Sequence, residues 1–318
     1  MRAMAQRSWA QGEPLVPTEL PTPAPRRGEL VVQVQAIGVN PVDWKMRSRG
    51  PLRLAARLVG PRPPVVFGVD FAGVVTAVGE GARVRVGDRV VGGTNFARKQ
   101  RGSYADTVVV RDDQVAVLPA EFDMVVAGAL PVAGVTAYMC VVEVGRLQAG
   151  QRALVLGASG GVGQLAVQFA RYVGGSAVGV CSTRNVELVR SLGAAAVIDY
   201  TQGDPLAQAR AHGPFHLVVD CAGGYAGAAC RALLGPGGRH VMIANESVGE
   251  TLNVLVPPFA SKSVLGRPTR PRLAAVVAAV ASGAVKVRVE ATLPLAQAEQ
   301  ALERSRGGRL TGKLVLLP

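Results

Sequence analysis

A glycine-rich turn lies between a short apolar segment and an apolar helical pattern. Residues 153–163 read Ala-Leu-Val-Leu-Gly-Ala-Ser-Gly-Gly-Val-Gly, and apolar residues recur with helical spacing from Leu165 to Ala170. A strand that turns directly into a helix leaves backbone N–H groups unpaired at the positive end of the helix dipole, where a pyrophosphate binds. The pattern therefore predicts a dinucleotide site. The predicted cofactor contacts in this turn are Ser159, Gly160, Gly161 and Val162.

The same residues also fit a sequence motif of serine hydrolases. Residues 157–161 satisfy G-x-S-x-G, the nucleophile elbow, with Ser159 as nucleophile and Asp220 and His240 following in the hydrolase order. An elbow has no need of the further glycine at 163, and no His-Gly-Gly oxyanion loop precedes it. Both the hydrolase and a tight turn without a ligand remain as alternatives to the dinucleotide site.

The residues after the next strand bear on the choice of cofactor. NAD-binding folds place an acid about 20 residues beyond the glycines, where it accepts a hydrogen bond from the ribose 2′-OH. Here Ser176–Cys181 forms an apolar segment, and Ser-Thr-Arg-Asn follows at 182–185 with no acid. Hydroxyls and a guanidinium suit a 2′-phosphate, so we expect NADPH (NADP) as cofactor. The further predicted cofactor contacts, at strand ends, are Ser182, Arg184, Asn185, Tyr200, Ile243 and Asn245.

The periodicity changes along the chain and predicts an α/β fold of two domains. Residues 1–122 contain several short β-branched segments separated by glycine and proline turns, among them Arg83–Val91, which favours a partly closed β-barrel. Residues 123–258 alternate helix and strand, which favours a doubly wound parallel sheet of the Rossmann type. The tail, 259–318, is expected to return and complete the first domain, with a strand at Val285–Ala291.

Composition excludes several classes of protein. Hydrophobic residues make up 49% of 318 residues, which excludes wholesale disorder. The net charge of +13 raises the question of nucleic acid, but aromatic residues are only 4% and no basic helix stands out. Four cysteines in apolar contexts without C-x-x-C favour a reduced cytoplasmic protein. The uncharged segment Met124–Val142 contains glycine and proline, so we interpret it as a buried, broken helix and not a membrane span.

With these segments placed, the chain resembles the medium-chain dehydrogenase/reductase superfamily, in its zinc-free quinone oxidoreductase and enoyl reductase branch. The resemblance implies a GroES-like catalytic domain beside the Rossmann domain, and a homodimer. The stretches that carry it run in the family's order over nearly the whole chain: Gly38–Lys45, Phe67–Val75, Leu130–Ala137, the glycine turn, Ser191–Ala194 and Gly312–Val315.

The resemblance also implies a reaction without a metal. The alcohol dehydrogenases of this superfamily hold a catalytic zinc with a cysteine and a Gly-His-Glu, whereas this chain reads Asn40 and Gly68-Val69-Asp70 at those positions. We therefore expect no metal site. Without a Lewis acid, hydride transfer from NADPH to an activated C=C (an enone or enoyl group) or to a quinone is the chemistry expected.

Three residues are the catalytic candidates that the resemblance implies. Lys45 ends the Asn-Pro-x-Asp-x-Lys stretch that relatives place at the cofactor and the substrate carbonyl, where an ammonium stabilises an enolate or donates a proton. Thr136 resembles a threonine beside the nicotinamide, and Asn40 a carboxamide or substrate contact. Each also has a plain structural explanation: a solvated lysine at a strand edge, a helix hydroxyl bonded to its own backbone, and an asparagine in a turn before proline.

The sequence leaves open which substrate or macromolecule the protein binds. A small quinone or enone, or a thioester on CoA or a carrier, is the expected substrate, and the arginines between 47 and 62 suit an acidic one. An NADPH-bound scaffold that binds RNA is the alternative, and the net charge is its only support.

Overall fold

The computed structural model describes residues 1–48, 50–243 and 261–318. Contacts divide the chain into two compact units. The first consists of Met1–Val132, Arg267–Ala281 and Val289–Pro318, and the second of Ala133–Gly266 and Ser282–Arg288.

Strands and helices are distributed over both units. In chain order the strands are β1 (Arg2–Gln6), β2 (Val16–Glu19), β3 (Glu29–Gly38), β4 (Val65–Val66), β5 (Asp70–Val78), β6 (Arg89–Gly93), β7 (Thr107–Arg111), β8 (Val115–Val117), β9 (Arg152–Leu156), β10 (Ser176–Cys181), β11 (Ala196–Asp199), β12 (Phe215–Asp220), β13 (Leu234–Met242), β14 (Ser261–Ser263), β15 (Val289–Pro294) and β16 (Lys313–Leu317). The helices are α1 (Pro41–Lys45), α2 (Pro51–Val59), α3 (Met124–Gly128), α4 (Pro131–Tyr138), α5 (Gly163–Tyr172), α6 (Val186–Ser191), α7 (Pro205–Ala209), α8 (Gly227–Arg231), α9 (Arg270–Ala281) and α10 (Ala298–Arg306).

The first unit is organised around β3. This strand pairs antiparallel with β5, β7 and β16, within a sheet of order β15-β16-β3-β5-β6-β8. Its apolar residues are buried and only Gln33 and Gln35 are exposed, and Leu30, Val32 and Ile37 join the large buried rings of Phe67 and Phe71 in one core. A second sheet, β2-β1-β4, contributes to the same core. The predicted GroES-like barrel domain is confirmed.

Local structure differs from the prediction at three places in this unit. The predicted strand Arg83–Val91 forms only from residue 89, because Gly87 has a φ of +92° and the Asp88 carboxylate accepts a hydrogen bond from the Arg85 amide, which makes a turn. The tail strand begins at Val289 and not at Val285. Helix α2 was not predicted.

The second unit is a parallel sheet with helices between its strands. Its strand order is β11-β10-β9-β12-β13-β14, and every pair is parallel. Numbered within the unit this order is 3-2-1-4-5-6, that of the dinucleotide-binding fold, whose ligand crosses the carboxyl ends of the strands where the order reverses. The predicted doubly wound sheet is confirmed, since helices and parallel strands alternate through the segment expected for it.

The uncharged segment from Met124 onward forms a broken helix, as expected. Helices α3 and α4 are separated at residues 129–130, and Met139–Glu143 continues α4 as a π-helix. Within the described ranges, none of the helices has the length and apolar character needed to cross a membrane.

The compact units begin and end elsewhere than the predicted domains, 1–122 with 259–318 and 123–258. Helix α3 belongs to the first unit because it packs on β3, so closely that a Cβ on Gly128 would lie 2.7 Å from the Cβ of Ala36. Residues 282–288 belong to the second unit because Gln168 and Gln164 on α5 accept hydrogen bonds from the amides of Lys286 (2.8 Å) and Arg288 (2.9 Å).

Candidate functional site

The turn between β9 and α5 has the backbone that its glycines suggested. Gly157 has a φ of +74°, a conformation that favours glycine. A Cβ on Gly163 would lie 2.1 Å from the Gly157 carbonyl oxygen, so only glycine lets the helix begin this close to the strand. Backbone conformation and steric contacts within the protein therefore explain why residues 157 and 163 are glycine.

Gly160 is not explained by protein neighbours. Among described residues, leaving aside its chain neighbours, a Cβ on Gly160 would have only the Gly157 carbonyl oxygen within 4 Å, at 3.5 Å. The space beside Gly160 is open, and the turn leads into α5, whose Gln164, Leu165 and Ala166 amides donate to the Gly160 and Val162 carbonyls. The open cradle at this helix terminus fits a pyrophosphate, and the other contacts predicted in the turn, Ser159, Gly161 and Val162, line the same loop.

A buried asparagine joins this turn to the end of β10. Asn185 lies in the short 3₁₀ turn Thr183–Asn185, and its amide nitrogen donates to Ser159 Oγ (3.0 Å) and lies 3.5 Å from Ser182 Oγ. Three predicted cofactor residues from two loops are thus brought together at one edge of the sheet. Arg184, between them in sequence, is exposed at this edge.

The neighbouring strand β11 brings an acid to the same edge. Asp199 ends β11, and its carboxylate accepts hydrogen bonds from the Thr201 amide (2.9 Å) and hydroxyl (2.8 Å). Hydrogen bonding, with the Thr183 hydroxyl foremost, lowers the pKa of Asp199. Tyr200 follows directly and is half-exposed.

The remaining predicted residues of this unit are less informative. Ile243 follows β13, is half-buried, and donates its amide to the Asp220 carbonyl (3.1 Å). Thr136 is buried on α4, directly before the π-helix. Asn245 lies outside the described residues. The cofactor and catalytic roles of these residues stay predictions.

The hydrolase alternative requires a chain from serine to histidine to carboxylate. Ser159 Oγ instead accepts from Asn185, and His240 Nδ1 lies 2.8 Å from Ser261 Oγ. Asp220 accepts from the amides of two residues that follow it, at 3.0 and 2.8 Å. Each of the three groups is engaged elsewhere, so the geometry does not support a catalytic serine.

The first unit contains a buried ionic cluster that sequence analysis did not identify. The Lys313 ammonium donates to Asn40 Oδ1 (2.5 Å) and to the Val39 carbonyl (2.8 Å), and lies 3.7 Å from an Asp70 carboxylate oxygen. Asp43 accepts from the Asn40 amide (2.9 Å) and from the Tyr104 hydroxyl (3.1 Å). All five side chains are buried. We call Asn40, Asp43, Asp70, Tyr104 and Lys313 the buried cluster.

Burial perturbs every titratable group of the buried cluster. It raises the pKa of Asp70 to about 6, against the opposing effect of Lys313. It raises the pKa of Asp43 to about 7, a rise that the Asn40 amide opposes and the Asp70 charge increases. It also lowers the pKa of Lys313, while the two carboxylates act in the opposite direction. Asp43 is therefore partly protonated near neutral pH.

The buried cluster positions two of the catalytic candidates. Asn40 precedes α1 and Asp43 lies within it, so the bond from the Asn40 amide to Asp43 fixes the start of this short helix. Lys45 is the last residue of α1, half-buried, with its ammonium 5.5 Å from the ring centre of Trp44. The Asn40 amide oxygen is engaged by Lys313, whereas its amide nitrogen donates to Gly38 (3.3 Å).

The donor set at these positions does not fit a zinc ion. Asn40 and Asp70 take the places of zinc ligands in the related alcohol dehydrogenases, and both face the Lys313 ammonium, which would repel a cation. Over the described parts of the chain, no three or more His, Cys, Asp or Glu residues are grouped as a metal would need.

The parallel sheet, its glycine turn and the barrel unit define a class: a nicotinamide-dependent oxidoreductase with a GroES-like domain and a Rossmann domain. Two family models match the chain, the alcohol dehydrogenase GroES-like domain over residues 26–120 and the zinc-binding dehydrogenase over residues 192–316.

Individual relatives define the branch. A chloroplast envelope quinone oxidoreductase homolog of Arabidopsis thaliana is 31% identical over 100% of this chain and 98% of its own length. A trans-enoyl reductase of Pyricularia oryzae is 35% identical over 57% of this chain and 52% of its own. The solved quinone oxidoreductase of Coxiella burnetii superposes with a TM-score of 0.89 at 25% identity, over 100% of this chain and 99% of that one. The chain belongs to the medium-chain dehydrogenase/reductase superfamily, in its quinone oxidoreductase and enoyl reductase branch.

A pair of glycine variants separates structure from ligand binding in the turn. Gly163→Ala places a methyl group against the Gly157 carbonyl, and we expect it to lower the free energy of unfolding by about 1–3 kcal/mol. Gly160→Ala meets no such obstacle, so stability should hold while NADPH affinity falls at least about tenfold. Denaturant unfolding and fluorescence titration measure the two effects. A Gly160→Ala protein that binds the dinucleotide normally would contradict the cradle.

The buried cluster predicts a pH dependence of stability. Burial raises the pKa of Asp43 from 3.8 in the unfolded protein to about 7 in the folded protein. Between these two pH values the folded protein therefore binds one more proton than the unfolded protein does. The contribution of Asp43 is therefore greatest at low pH and is lost as the pH rises from about 4 to about 7. Asp43→Asn should remove this loss, so its stability relative to the wild type should increase with pH.

The comparison with the wild type is essential because His240 acts in the opposite sense. Burial lowers the pKa of His240 from 6.5 to about 4, so its contribution to stability increases with pH across that interval. Urea unfolding of both proteins at several pH values gives the difference free of His240. Parallel curves for the two proteins would show that Asp43 does not titrate in this range.

Proposed function

We propose that this protein is an NADPH-dependent reductase that transfers hydride to an activated C=C bond or to a quinone without zinc. The observation that carries the proposal is the edge of the parallel sheet, where an open glycine cradle adjoins hydroxyl and guanidinium groups. The names of the relatives, quinone oxidoreductase and trans-enoyl reductase, support both substrate types.

The preference for NADPH rests on the residues after β10. When bound, NADPH supplies the hydride. Ser182 and Arg184 offer a hydroxyl and a cation to the 2′-phosphate, and Asn185 holds Ser182 near the turn. The carboxylate of Asp199 on the next strand accepts from the Thr201 amide and hydroxyl and stays ionised, so the Arg184 cation also has to offset its repulsion of a phosphate.

The reaction requires a group that meets the charge developing on the substrate oxygen. Lys45 is our candidate, because the buried cluster fixes the helix that it ends. Asn40 acts here as a positioning residue, since its amide oxygen is bonded to Lys313. Thr136 is proposed to lie beside the nicotinamide, as the family resemblance implies. An ammonium is suited to stabilise an enolate or to protonate it.

Partner and location are proposed from resemblance. We propose a homodimer that acts on a small molecule, free or thioester-bound, in the cytoplasm. Relatives include chloroplastic and mitochondrial proteins, so location differs within the family.

The direct test is a substrate panel. Quinones, α,β-unsaturated ketones and enoyl thioesters are each mixed with NADPH, and the loss of NADPH absorbance is followed with and without prior chelation. We expect turnover of at least one class, unchanged by the chelator, from protein without stoichiometric zinc. Chelator-sensitive turnover with one zinc per chain would refute the metal-free mechanism, and salt-dependent RNA binding without turnover would favour the scaffold alternative.

The cofactor preference predicts an asymmetric effect of Arg184→Ala. NADPH should bind the wild type at least tenfold more tightly than NADH, about 1.4 kcal/mol. The substitution removes the cation at the 2′-phosphate, so NADPH affinity should fall while NADH affinity hardly changes. Fluorescence titrations with both cofactors measure this. Equal affinities in the wild type would show that residues 182–185 do not select the phosphate.

The role of Lys45 is tested by Lys45→Met, which keeps the length of the side chain and deletes its charge. If the ammonium acts mainly in the transition state, kcat should fall by about 10²–10³-fold, the typical effect of losing one such donor. NADPH affinity is measured alongside, because the lysine also lies at the cofactor in relatives. Normal binding with near-normal kcat would make Lys45 a structural residue.

A further inference from the structure

Helix α2 exposes an apolar surface that neither the fold nor the proposed reaction uses. Leu54, Leu58 and Val59 are 59%, 73% and 47% exposed, which is high for aliphatic side chains. Leu54, Arg57 and Leu58 are spaced i, i+3 and i+4, so they share one face of the helix. We call these three residues, together with Val59 at the end of the helix, the α2 face.

The opposite side of α2 attaches the helix to the first unit. Ala56 is buried in the core, and Arg53 donates a hydrogen bond to the Trp9 carbonyl. A Cβ on Gly60, directly after the helix, would lie 3.0 Å from the ring of Phe96. The helix is therefore held with Leu54 and Leu58 directed to solvent.

The surroundings of the α2 face are positively charged. No Asp or Glu occurs between Trp44 and Val69, or between Arg89 and Ala105, the stretch that contains Phe96. Arg57, Arg62 and Lys99 are exposed in these stretches. Other arginines there are engaged: Arg47 with Glu299 (3.1 Å) and Arg98 with Asp113 (3.2 Å).

We propose that the α2 face binds an anionic lipid surface, lying in the interface without spanning it. An amphipathic helix with leucines on one face and arginines beside them is the structure that binds such surfaces, through apolar insertion and attraction to anionic headgroups. Arginine side chains next to the leucines reach the headgroups while their stems stay apolar.

A lipid surface fits the α2 face better than an acidic protein does. The energetic centres of protein interfaces are rich in tryptophan, tyrosine and arginine and poor in leucine and valine, whereas three of the four residues of the α2 face are aliphatic. The α2 face of a second copy would bring Arg57 and its positively charged surroundings against the same charges, because a symmetric interface places the same patch on both sides.

The test is sedimentation of the purified full-length protein with phosphatidylcholine vesicles, with and without phosphatidylglycerol. We expect binding to the anionic vesicles only, reversed by high salt. Leu54→Ser with Leu58→Ser should weaken it at least about tenfold. Arg57→Gln should weaken it about fivefold, equivalent to about 1 kcal/mol for one arginine at an anionic surface.

Matched controls come from the same unit. Val86 and Val117 are 60% and 49% exposed. Arg85 is also exposed, and it lies outside α2 and the residues that flank it in sequence. Val86→Ser with Val117→Ser, and Arg85→Gln, should leave vesicle binding unchanged, with melting temperatures confirming that all variants fold. If the control variants lose as much vesicle binding as the α2 variants, the assignment of lipid binding to the α2 face is overturned. Wild-type protein that stays in the supernatant with both vesicles would also overturn it, and would make an acidic protein the better partner.

Discussion

The buried lysine at position 313 is the constraint on which the first unit depends. Taking an ammonium and two carboxyls out of water is unfavourable by several kcal/mol for each ion, unless partners are placed with good geometry. Lys313 meets that condition by bonding to Asn40 and to the Val39 carbonyl, beside Asp70. One ammonium thereby joins β16 to the end of β3, the start of α1 and the beginning of β5.

The second unit depends on a constraint of a different kind. Its turn is shaped by steric exclusion, because Gly157 needs a positive φ and Gly163 has no room for a side chain. Neither a positive φ nor a steric clash requires glycine at position 160, and this difference from Gly157 and Gly163 points to a ligand beside Gly160. The two units thus shape their sites in different ways. The first satisfies its buried charges with hydrogen bonds and an ion pair, and the second leaves space by using glycines, which have no side chain.

Local signals explain what could be predicted from the sequence. The strand, glycine turn and helix at 153–172 are consecutive, so their pattern is readable in one window, and the parallel strands follow with the same regularity. The buried cluster joins residues up to 273 positions apart, and no local pattern reports such a pairing. Its only signal is the occurrence of Asp70 and Lys313 among apolar residues. Helix α2 was missed because its leucines and arginines are interspersed, and because Leu54 and Leu58 do not contribute to the core. The turn at Gly87 was overlooked within a β-branched run.

The position of Lys313 near the C-terminal end of the printed chain has a consequence for biosynthesis. Asp43 and Asp70 are made early, yet the ammonium that shares their burial emerges from the ribosome more than two hundred residues later, with β15 and β16. Until then the two carboxyls lack their ammonium, and the barrel lacks two of its strands. The segments of the second unit's sheet, by contrast, are all translated before β15. During synthesis the nucleotide-binding unit is therefore ready to form first, and the N-terminal unit, although translated first, is completed last.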